Sequence, residues 1–382
     1  MYHSAVPKRN GVHNMKNFCK LCVISLLILI MCTFTGCGYQ YFDIELEADY
    51  SNNLAGTTLN VYNWGEYISD GSEESLDVNK EFERITGIKV NYSTFESNET
   101  MYSQLRTGGV SYDIIIPSDY MIARMVNEDM LLPIDTSKLS NYGNIEERYK
   151  NQYYDPQNIY SVPYNVGMVG IIYNTTMVDD VPDSWSVFWD SRYKNQTLMF
   201  SNPRDAFMTA QFLGGISVNS QNKSDWDKAA ELLKNQKQYL QSYVMDEVYG
   251  KMETGEAAIA PYYAGDYLTM YDVNEDLAFV YPKEGTNIFV DAMCIPKSCQ
   301  NYEAAMLYIN FLLEPEIALA NAEYIGYASP NSTVIHNPEY CYFENEILYP
   351  SDENMPITEY YHDLNNDIRY YYENLWIDVK LH

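Results

Sequence analysis

The sequence is poor in basic residues and in histidine, and both shortages exclude classes of function. Only 24 Lys and Arg stand against 53 Asp and Glu, which gives a formal net charge of −29 at pH 7. Because so acidic a chain repels phosphate backbones, nucleic acid is not expected as a partner. The five histidines are scattered, and the sequence contains neither a Gly-x-Ser-x-Gly nor a His-Glu-x-x-His motif. The chain is therefore predicted not to be an enzyme.

Cysteine is also sparse in the part of the chain that must fold. Four of the seven cysteines lie at or before Cys37, which leaves Cys294, Cys299 and Cys341. Three thiols cannot all pair. A disulfide between Cys294 and Cys299 is one interpretation, and buried free thiols are the preferred one. Since no cluster of Cys and His shows metal-ligand spacing, the sequence predicts neither a metal site nor a cofactor.

One apolar run, at residues 21–34, follows Lys16 and Lys20. It is shorter than the roughly 20 residues that a membrane-spanning helix needs, which favours a signal peptide over residues 1–36. Small residues stand immediately before Cys37 and resemble a bacterial lipobox, which implies lipidation of that cysteine; ordinary cleavage nearby is the alternative. The chain is thus expected to be exported to the periplasmic space or to the outer face of the cell membrane.

The exported part divides into a tether and a folded body. Residues 37–56 are acidic and aperiodic, which indicates a tether that holds the domain off the membrane. From Thr57 onward about 325 residues remain, more than one hydrophobic core usually serves, so two lobes are expected. At the start of the leader, Met15 is an alternative first residue to Met1.

The first lobe shows an alternation of strands and helices. Apolar stretches predict the strands, and helical spacing of apolar residues that ends at a glycine predicts the helices. The order is a strand at 57–63, a helix at 72–86, a strand at 88–95, a helix from Ser97 or Asn98 to Arg106, and a strand at 112–117. Such an order is typical of a parallel sheet, with the strand order 2-1-3 expected.

Polar and aromatic residues follow two strands of this sheet. Ligands of such sheets bind beyond the carboxyl ends of the strands, where the strand order reverses. Beyond the first strand stand Trp64, Glu66 and Tyr67, and beyond the third stand Ser118, Asp119 and Tyr120. In the order 2-1-3 these two loops are neighbours, so they are predicted to form one wall of a site.

The second half of the chain repeats the pairing of carboxylates with strand ends. Its predicted elements are strands at 160–173, 197–201 and 257–263, strand segments at 288–291 and 293–296, and a helix capped by Asn202 that ends at Gly214. Asp205 lies in the first turn of that helix, where neutralising the helix dipole explains it as well as ligand contact does. Two strand-end loops combine an aromatic ring with a carboxylate: Tyr263 with Asp266, and Phe289 with Asp291.

These residue types suit a cation that is carried on a hydrocarbon chain. A carboxylate pairs with a charged nitrogen, while the faces of aromatic rings attract cations and cover methylene groups. Taken alone, Trp64, Glu66 and Tyr67 are more typical of a core. Four carboxylates beside aromatic rings or strand ends favour a binding site.

Several segments resemble, in order, the spermidine/putrescine-binding proteins of the bacterial polyamine ABC importers. They are VYNWGEY, FERITGIKVNYSTFESNETMYSQL, YDIIIPSDY, YSVPYNVG, YYAGD, YPKEG, FVDAMCIP, YINFLLEP and IGYASPN, spread over residues 57–381. The resemblance implies an α/β periplasmic-binding-protein fold of the second type, with two α/β lobes joined by hinge crossovers and the ligand cleft between them. Lobe one is assigned to 57–163 and 292–335, and lobe two to 164–291 and 336–382.

The resemblance also implies roles for individual residues. It assigns Trp64, Tyr67, Tyr263, Phe289 and Tyr327 to an aromatic box, and Glu66, Asp205, Asp266 and Asp291 to the ligand nitrogens; Ser118 and Tyr120 match the loop after the third strand. Asp119 stands where many relatives have Thr or Ala, Asn202 where spermidine-preferring relatives have an acid, and Tyr263 and Phe289 where Trp is frequent. Because Tyr263 and Asp266 resemble the putrescine-specific branch, the choice between spermidine and putrescine stays open.

As partners, the resemblance implies a polyamine ligand, an ABC-type permease and the membrane through the lipid anchor, with the protein itself a monomer. The main alternative is a receptor of the same fold for another solute, such as an amino acid, a sugar or thiamine. An anionic solute would require basic residues in the loops, and the nominated loops offer only Arg204. A surface adhesin, a third possibility, would need no closed pocket.

Overall fold

The computed structural model describes residues 42–382, and the predicted signal peptide and Cys37 lie outside the described residues. Residues 44–382 form one compact unit. No helix within this described range has both the length and the apolar character to cross a membrane.

The strands of the described chain join in one mixed sheet. They are β1 (Thr58–Trp64), β2 (Lys89–Phe95), β3 (Ile114–Ile115), β4 (Leu131–Leu132), β5 (Ser161–Asn174), β6 (Thr197–Phe200), β7 (Leu240–Val244), β8 (Ile259–Tyr263), β9 (Leu277–Val280), β10 (Thr286–Pro296) and β11 (Thr358–Glu359). The main order is β2-β1-β3-β10-β5-β8-β6-β7, with β4 and β11 paired to β10 and β9 to β5. The predicted order 2-1-3 of the first three strands is therefore confirmed.

Two long strands connect two parallel groups. The first group, β2-β1-β3, is parallel, and so is the second, β8-β6-β7. Between them β5 and β10 run antiparallel to each other, with Asp291 opposite Asn165 and an irregularity in the register after Asp291. All 14 residues of β5 and all 11 of β10 are buried, as continuous apolar strands in the middle of a covered sheet should be.

Helices cover the sheet. They are α1 (Val78–Thr86), α2 (Asn98–Thr107), α3 (Asp119–Asn127), α4 (Pro203–Leu213), α5 (Lys223–Gln236), α6 (Glu247–Glu253), α7 (Ala264–Val273), α8 (Tyr302–Leu312), α9 (Pro315–Ile325), α10 (Ser332–Ile335) and α11 (Asn366–Leu381). The predicted helix at 72–86 is shorter than expected, because Asp77 caps its start by accepting a hydrogen bond from the Lys80 amide. It ends as predicted at Gly87, which has the positive φ of 71° that glycine tolerates.

Aromatic side chains fill the core beneath the helices. Trp226 of α5 is fully buried and stacks on Tyr372 of α11, with ring centroids 4.7 Å apart. Phe207 of α4 packs against the edge of Trp226, at 5.3 Å. Trp226 thus serves packing, and its contact with Tyr372 holds α11 on the side of the second strand group.

The segment before β1 differs from the expected tether. The amides of Glu47 and Ala48 donate to the carboxylate of Glu314, and the Tyr50 hydroxyl donates to the same carboxylate at 2.7 Å. Tyr50 is 5% exposed and meets Phe311 edge to face. The folded body thus includes residues well before Thr57, because a fully buried carboxylate gathers three donors from this segment.

The three cysteines of the described chain carry free thiols. Cys294 is buried in β10, Cys299 is half-buried and Cys341 is exposed. The expectation of free thiols is confirmed, but burial holds fully only for Cys294.

Candidate ligand-binding site

A cavity of about 110 Å³ lies where the carboxyl ends of both parallel strand groups meet. Its walls come from the segments that follow β1, β2, β3, β6, β7 and β8, and from the middle of β10. Since one water molecule needs roughly 10–15 Å³ of such volume, the cavity is large enough for a small organic molecule. Its position agrees with the rule that open α/β sheets bind ligands beyond their strand ends.

Twelve of the thirteen ligand-binding residues predicted from the sequence line this cavity. They are Trp64, Glu66, Tyr67, Ser118, Tyr120, Asn202, Asp205, Tyr263, Asp266, Phe289, Asp291 and Tyr327. The residues come from segments as far apart as β1 and the loop after α9, and the fold brings them to one place.

Asp119 is the exception, and its predicted place in the cavity is wrong. Its side chain is fully buried and accepts hydrogen bonds from the amides of Tyr120, at 2.6 Å, and Val290, at 3.3 Å. Burial raises the pKa of Asp119 well above its usual range. Because Asp119 begins α3, its side chain turns toward β10, whereas its neighbours Ser118 and Tyr120 face the cavity.

Asp291 occupies the middle of β10 and not a strand end, contrary to the prediction. Its Oδ2 accepts a 2.6 Å hydrogen bond from the Tyr67 hydroxyl, whereas its buried Oδ1 has no donor among the described residues. Burial raises the pKa of Asp291 to about 6, against the opposing effect of the Ser118 and Tyr67 hydroxyls. A buried acceptor without a donor is rare in folded proteins, so Asp291 Oδ1 calls for a donor from a ligand.

Asp266 lies in the first turn of α7, because the helix begins directly after β8 without the predicted loop. The hydroxyls of Tyr249, at 2.5 Å, and Tyr327, at 2.7 Å, each donate to one of its oxygens. Burial raises its pKa to about 7. Gly265 permits this arrangement, since a Cβ there would lie 2.2 Å from the ring of Tyr327.

Asp205 lies in the first turn of α4 and is held from three sides. Its Oδ2 accepts hydrogen bonds from the Tyr263 hydroxyl, at 2.6 Å, and from Asn202 Nδ2, at 2.7 Å. Its Oδ1 accepts one from the Tyr361 hydroxyl at 2.9 Å. Asn202 also caps α4, as predicted, by accepting from the Asp205 amide.

Arg204 is the one basic residue among the described residues that line the cavity. Its guanidinium lies 4.5 Å from the ring centroid of Tyr361 and 5.7 Å from that of Tyr120. Its Nη2 donates to the side chain of Asn219 and to the carbonyl of His362. The guanidinium is thus engaged by protein groups and by aromatic faces.

Aromatic rings line the cavity between the carboxylates. The indole Nε1 of Trp64 donates to the Ile116 carbonyl, which fixes the ring. Tyr67 meets Tyr327 edge to face at 5.1 Å, and Phe289 meets Tyr263 likewise at 5.5 Å. Such walls offer both apolar contact for methylene groups and a negative ring face for a cation.

The sequence interpretation did not nominate several other lining residues. Glu99 accepts a 3.0 Å hydrogen bond from Tyr120, and burial raises its pKa. Tyr249 and Tyr361 supply hydroxyls to Asp266 and Asp205. Glu99 lies at the start of a helix that follows a strand, and this position could have identified it from the sequence. Tyr249 and Tyr361 have no comparable sequence signal.

Comparison with known proteins settles the family. Residues 78–346 match the model of the bacterial extracellular solute-binding proteins. The chain belongs to this family. A spermidine/putrescine-binding periplasmic protein of Salmonella typhimurium is 35% identical over 85% of this chain and 91% of its own. The putrescine-binding protein SpuD of Pseudomonas aeruginosa is 27% identical over 84% of this chain and 91% of its own.

Solved structures of solute-binding proteins agree with the fold. A putative spermidine/putrescine ABC transporter protein from Listeria monocytogenes has a TM-score of 0.80 and 37% identity, over 85% of this chain and 99% of its own. The lipoprotein Tp0655 of Treponema pallidum has a TM-score of 0.74 and 26% identity, over 85% of this chain and all of its own. The α/β periplasmic-binding-protein fold and the resemblance inferred from the sequence are confirmed.

Proposed function

We propose that this solute-binding protein captures a polyamine outside the cell membrane and delivers it to an ABC-type permease. Asp291 carries the proposal: a 3% exposed carboxylate lines the cavity, and its Oδ1 has no donor among the described residues. An ammonium group is the donor that satisfies such an oxygen and also compensates its charge.

The aromatic walls support an alkyl chain between the nitrogens. A putrescine has four methylenes and a spermidine seven, and each buried methylene contributes about 0.8 kcal/mol before ordering costs. Micromolar affinity needs about 8 kcal/mol, so the carboxylates must supply a part. Two relatives of this chain are named as binding spermidine/putrescine and putrescine, which are ligands of this chemical type.

An anionic solute fits the cavity poorly. Arg204, the one cation among the described lining residues, is already hydrogen-bonded to Asn219 and His362, while Asp205, Asp266 and Asp291 would repel a carboxylate. An amino acid would therefore meet three acids for each engaged guanidinium. This charge balance favours the polyamine over the alternative solutes.

Calorimetric titration of residues 42–382 with putrescine, spermidine, spermine and a panel of amino acids tests the proposal. We expect heat from at least one polyamine and none from the amino acids. If no polyamine gives heat or a thermal shift while an amino acid does, the proposed ligand class is wrong.

We also propose that the protein works as a monomer on the membrane. Lipidation at Cys37 would anchor it, and closure between the lobes 57–163 with 292–335 and 164–291 with 336–382 would present the ligand to the permease. Small-angle scattering should then show a smaller radius of gyration with ligand at the mass of a monomer. A Cys37→Ala variant should move from the membrane fraction to the soluble fraction. If Cys37 carries no lipid, the substitution should leave the distribution unchanged.

A further inference from the structure

The guanidinium of Arg204 is a buried cation that forms no ion pair among the described residues. Arg204 is 5% exposed, and its Nε has no hydrogen-bond acceptor within the same part of the chain. Taking a charge out of water is costly unless an opposite charge or several hydrogen bonds compensate it. The position of this guanidinium therefore calls for a reason.

Acids are nevertheless close to Arg204. Asp205 is its neighbour in the chain, and burial raises the pKa of Glu99 while the charge of Arg204 opposes the rise. The ring of Tyr361 lies 4.5 Å from the guanidinium, and its hydroxyl donates to Asp205 at 2.9 Å. The ring of Tyr120 lies 5.7 Å from the guanidinium, and its hydroxyl donates to Glu99 at 3.0 Å. The guanidinium thus meets the rings, and the hydroxyls of those rings meet the acids.

Asn219 holds the guanidinium at this place. Its Oδ1 accepts hydrogen bonds from Arg204 Nη2, at 3.1 Å, and from the His362 amide, at 2.7 Å. Its Nδ2 donates to the carbonyl of Tyr360 at 2.7 Å. The His362 carbonyl accepts from Arg204 Nη2 as well, at 3.3 Å. Asn219 therefore ties Arg204 to the segment that carries Tyr361, although Asn219 itself is not among the residues that line the cavity.

A released guanidinium would compete with a cationic ligand. The side chain of arginine is long and flexible, and its planar fork pairs most strongly with a carboxylate. Asp205 and Glu99 both line the cavity, so either pair would bring a positive charge and the volume of a guanidinium into it. A cationic ligand would then meet a site that the protein has partly neutralised and partly filled.

We propose that Asn219 is a positioning residue, which keeps Arg204 against aromatic rings and neutral acceptors and so keeps it from pairing with the acids of the cavity. The inference rests on the proposed function, because only a cationic ligand competes with a guanidinium for these acids. It also gives a reason for the missing ion pair of Arg204: the carboxylates stay available to the ligand.

Three variants separate this role from simple support of the fold, with putrescine and spermidine titrated into each by calorimetry. Asn219→Ala releases Arg204 and should weaken binding by about tenfold. Asn219→Asp is the matched control: it keeps an acceptor for the guanidinium, and its affinity should stay within about threefold of wild type. In an Arg204→Met background there is no guanidinium to release, so Asn219→Ala should cause less than about a twofold further loss.

A crystal structure of Asn219→Ala without ligand gives a second readout that does not depend on affinity. The guanidinium of Arg204 should lie within ion-pair distance of Asp205 or Glu99. An equal loss of affinity in the Arg204→Met background, or a guanidinium that stays against the ring of Tyr361, would overturn the inference and leave the proposed function intact. If wild type binds no polyamine, the proposed function fails instead, while the crystal structure still decides where the guanidinium goes.

Discussion

Asp291 and Asp205 are two buried carboxylates of one cavity with opposite surroundings. Asp291 is 3% exposed and Asp205 7% exposed, so burial does not distinguish them. Asp205 accepts three side-chain hydrogen bonds near a guanidinium. Asp291 accepts a hydrogen bond from Tyr67 and is influenced by the Ser118 hydroxyl, while its Oδ1 has no partner within hydrogen-bond distance among the described residues. We therefore expect an acid that binds a cationic ligand to be recognisable by its missing protein donors rather than by its charge alone.

The largest expected effect comes from neutralising the unsatisfied acid. Asp291→Asn should weaken polyamine binding by about 4 kcal/mol, or about 1,000-fold, because it leaves an ammonium buried without its counter-charge. Asp205→Asn should cost less than about tenfold, since its partners are protein donors. Calorimetry on both variants measures the ratio, and equal losses would remove the distinction between the two acids.

Phe289→Leu is a control for the loss of ring contact without loss of charge. Phe289 lines the same cavity and packs across Gly167, where a Cβ would lie 2.3 Å from the Phe289 ring. We expect a loss of about 1 kcal/mol, or about fivefold, from the weaker contact with the ligand. A loss equal to that of Asp291→Asn would show that methylene contacts, and not charge, dominate binding.

The pH dependence of binding should test whether Asp291 and Asp266, two acids that line the cavity, contact the ligand. Burial raises the pKa of Asp291 to about 6 and that of Asp266 to about 7, and an ammonium binds their ionised forms. Between pH 8 and pH 5.5 affinity should therefore fall by about 100-fold, because both groups must release protons before binding. Asp266→Asn should remove the step near pH 7 and leave the one near pH 6.

The empty protein should respond to pH in the opposite direction. Both folded-state pKa values lie above the roughly 3.9 of an unfolded aspartate. The two acids thus contribute stability that is fully present below about pH 4 and is lost as the pH rises through 6 and 7. The thermal shift caused by ligand should grow with pH over this window, and a shift that shrinks would contradict the assignment.

Much of this site could be predicted from the sequence because parallel α/β order fixes where strand ends meet. Trp64 ends β1 and Ser118 follows β3, and the strand order alone predicts that they lie close together. The local structure around Asp266 and Asp291 was harder to predict. Asp266 lies in the first turn of a helix that begins at Ala264, and Asp291 lies within a strand, although both were expected in strand-end loops.

Other features had no local signal. Tyr361 reaches Asp205 across 156 residues, and one tyrosine among 38 cannot be singled out by composition. Asp119 shows a second limit. Ser118, Asp119 and Tyr120 are consecutive residues at the start of α3, and only the turn of the backbone decides which of them faces the cavity. The positions of these side chains therefore depend on long-range packing, which the periodicity of the strands does not reveal.

Removing single tyrosine hydroxyls tests the same difference between Asp291 and Asp205 through smaller effects. Tyr67→Phe removes the 2.6 Å hydrogen bond that Tyr67 donates to Asp291, and should weaken putrescine binding by about 1.5 kcal/mol, or about tenfold. Tyr361→Phe removes one of three from Asp205 and should cost less than about threefold. Calorimetry at pH 8 separates them, and the reverse ranking would mean that Asp205 is the acid in contact with ligand.

The smallest effect is expected outside the cavity, where it sets the baseline for these comparisons. Tyr50→Phe deletes a hydroxyl that donates to Glu314 at 2.7 Å and accepts from Asn310 at 3.2 Å. We expect a loss of about 1 kcal/mol in the free energy of unfolding, because a buried acceptor loses one of its donors. Ligand affinity should not change. If binding weakened as well, the segment before β1 would be coupled to the cavity, and losses at Asp205 could no longer be assigned to the site alone.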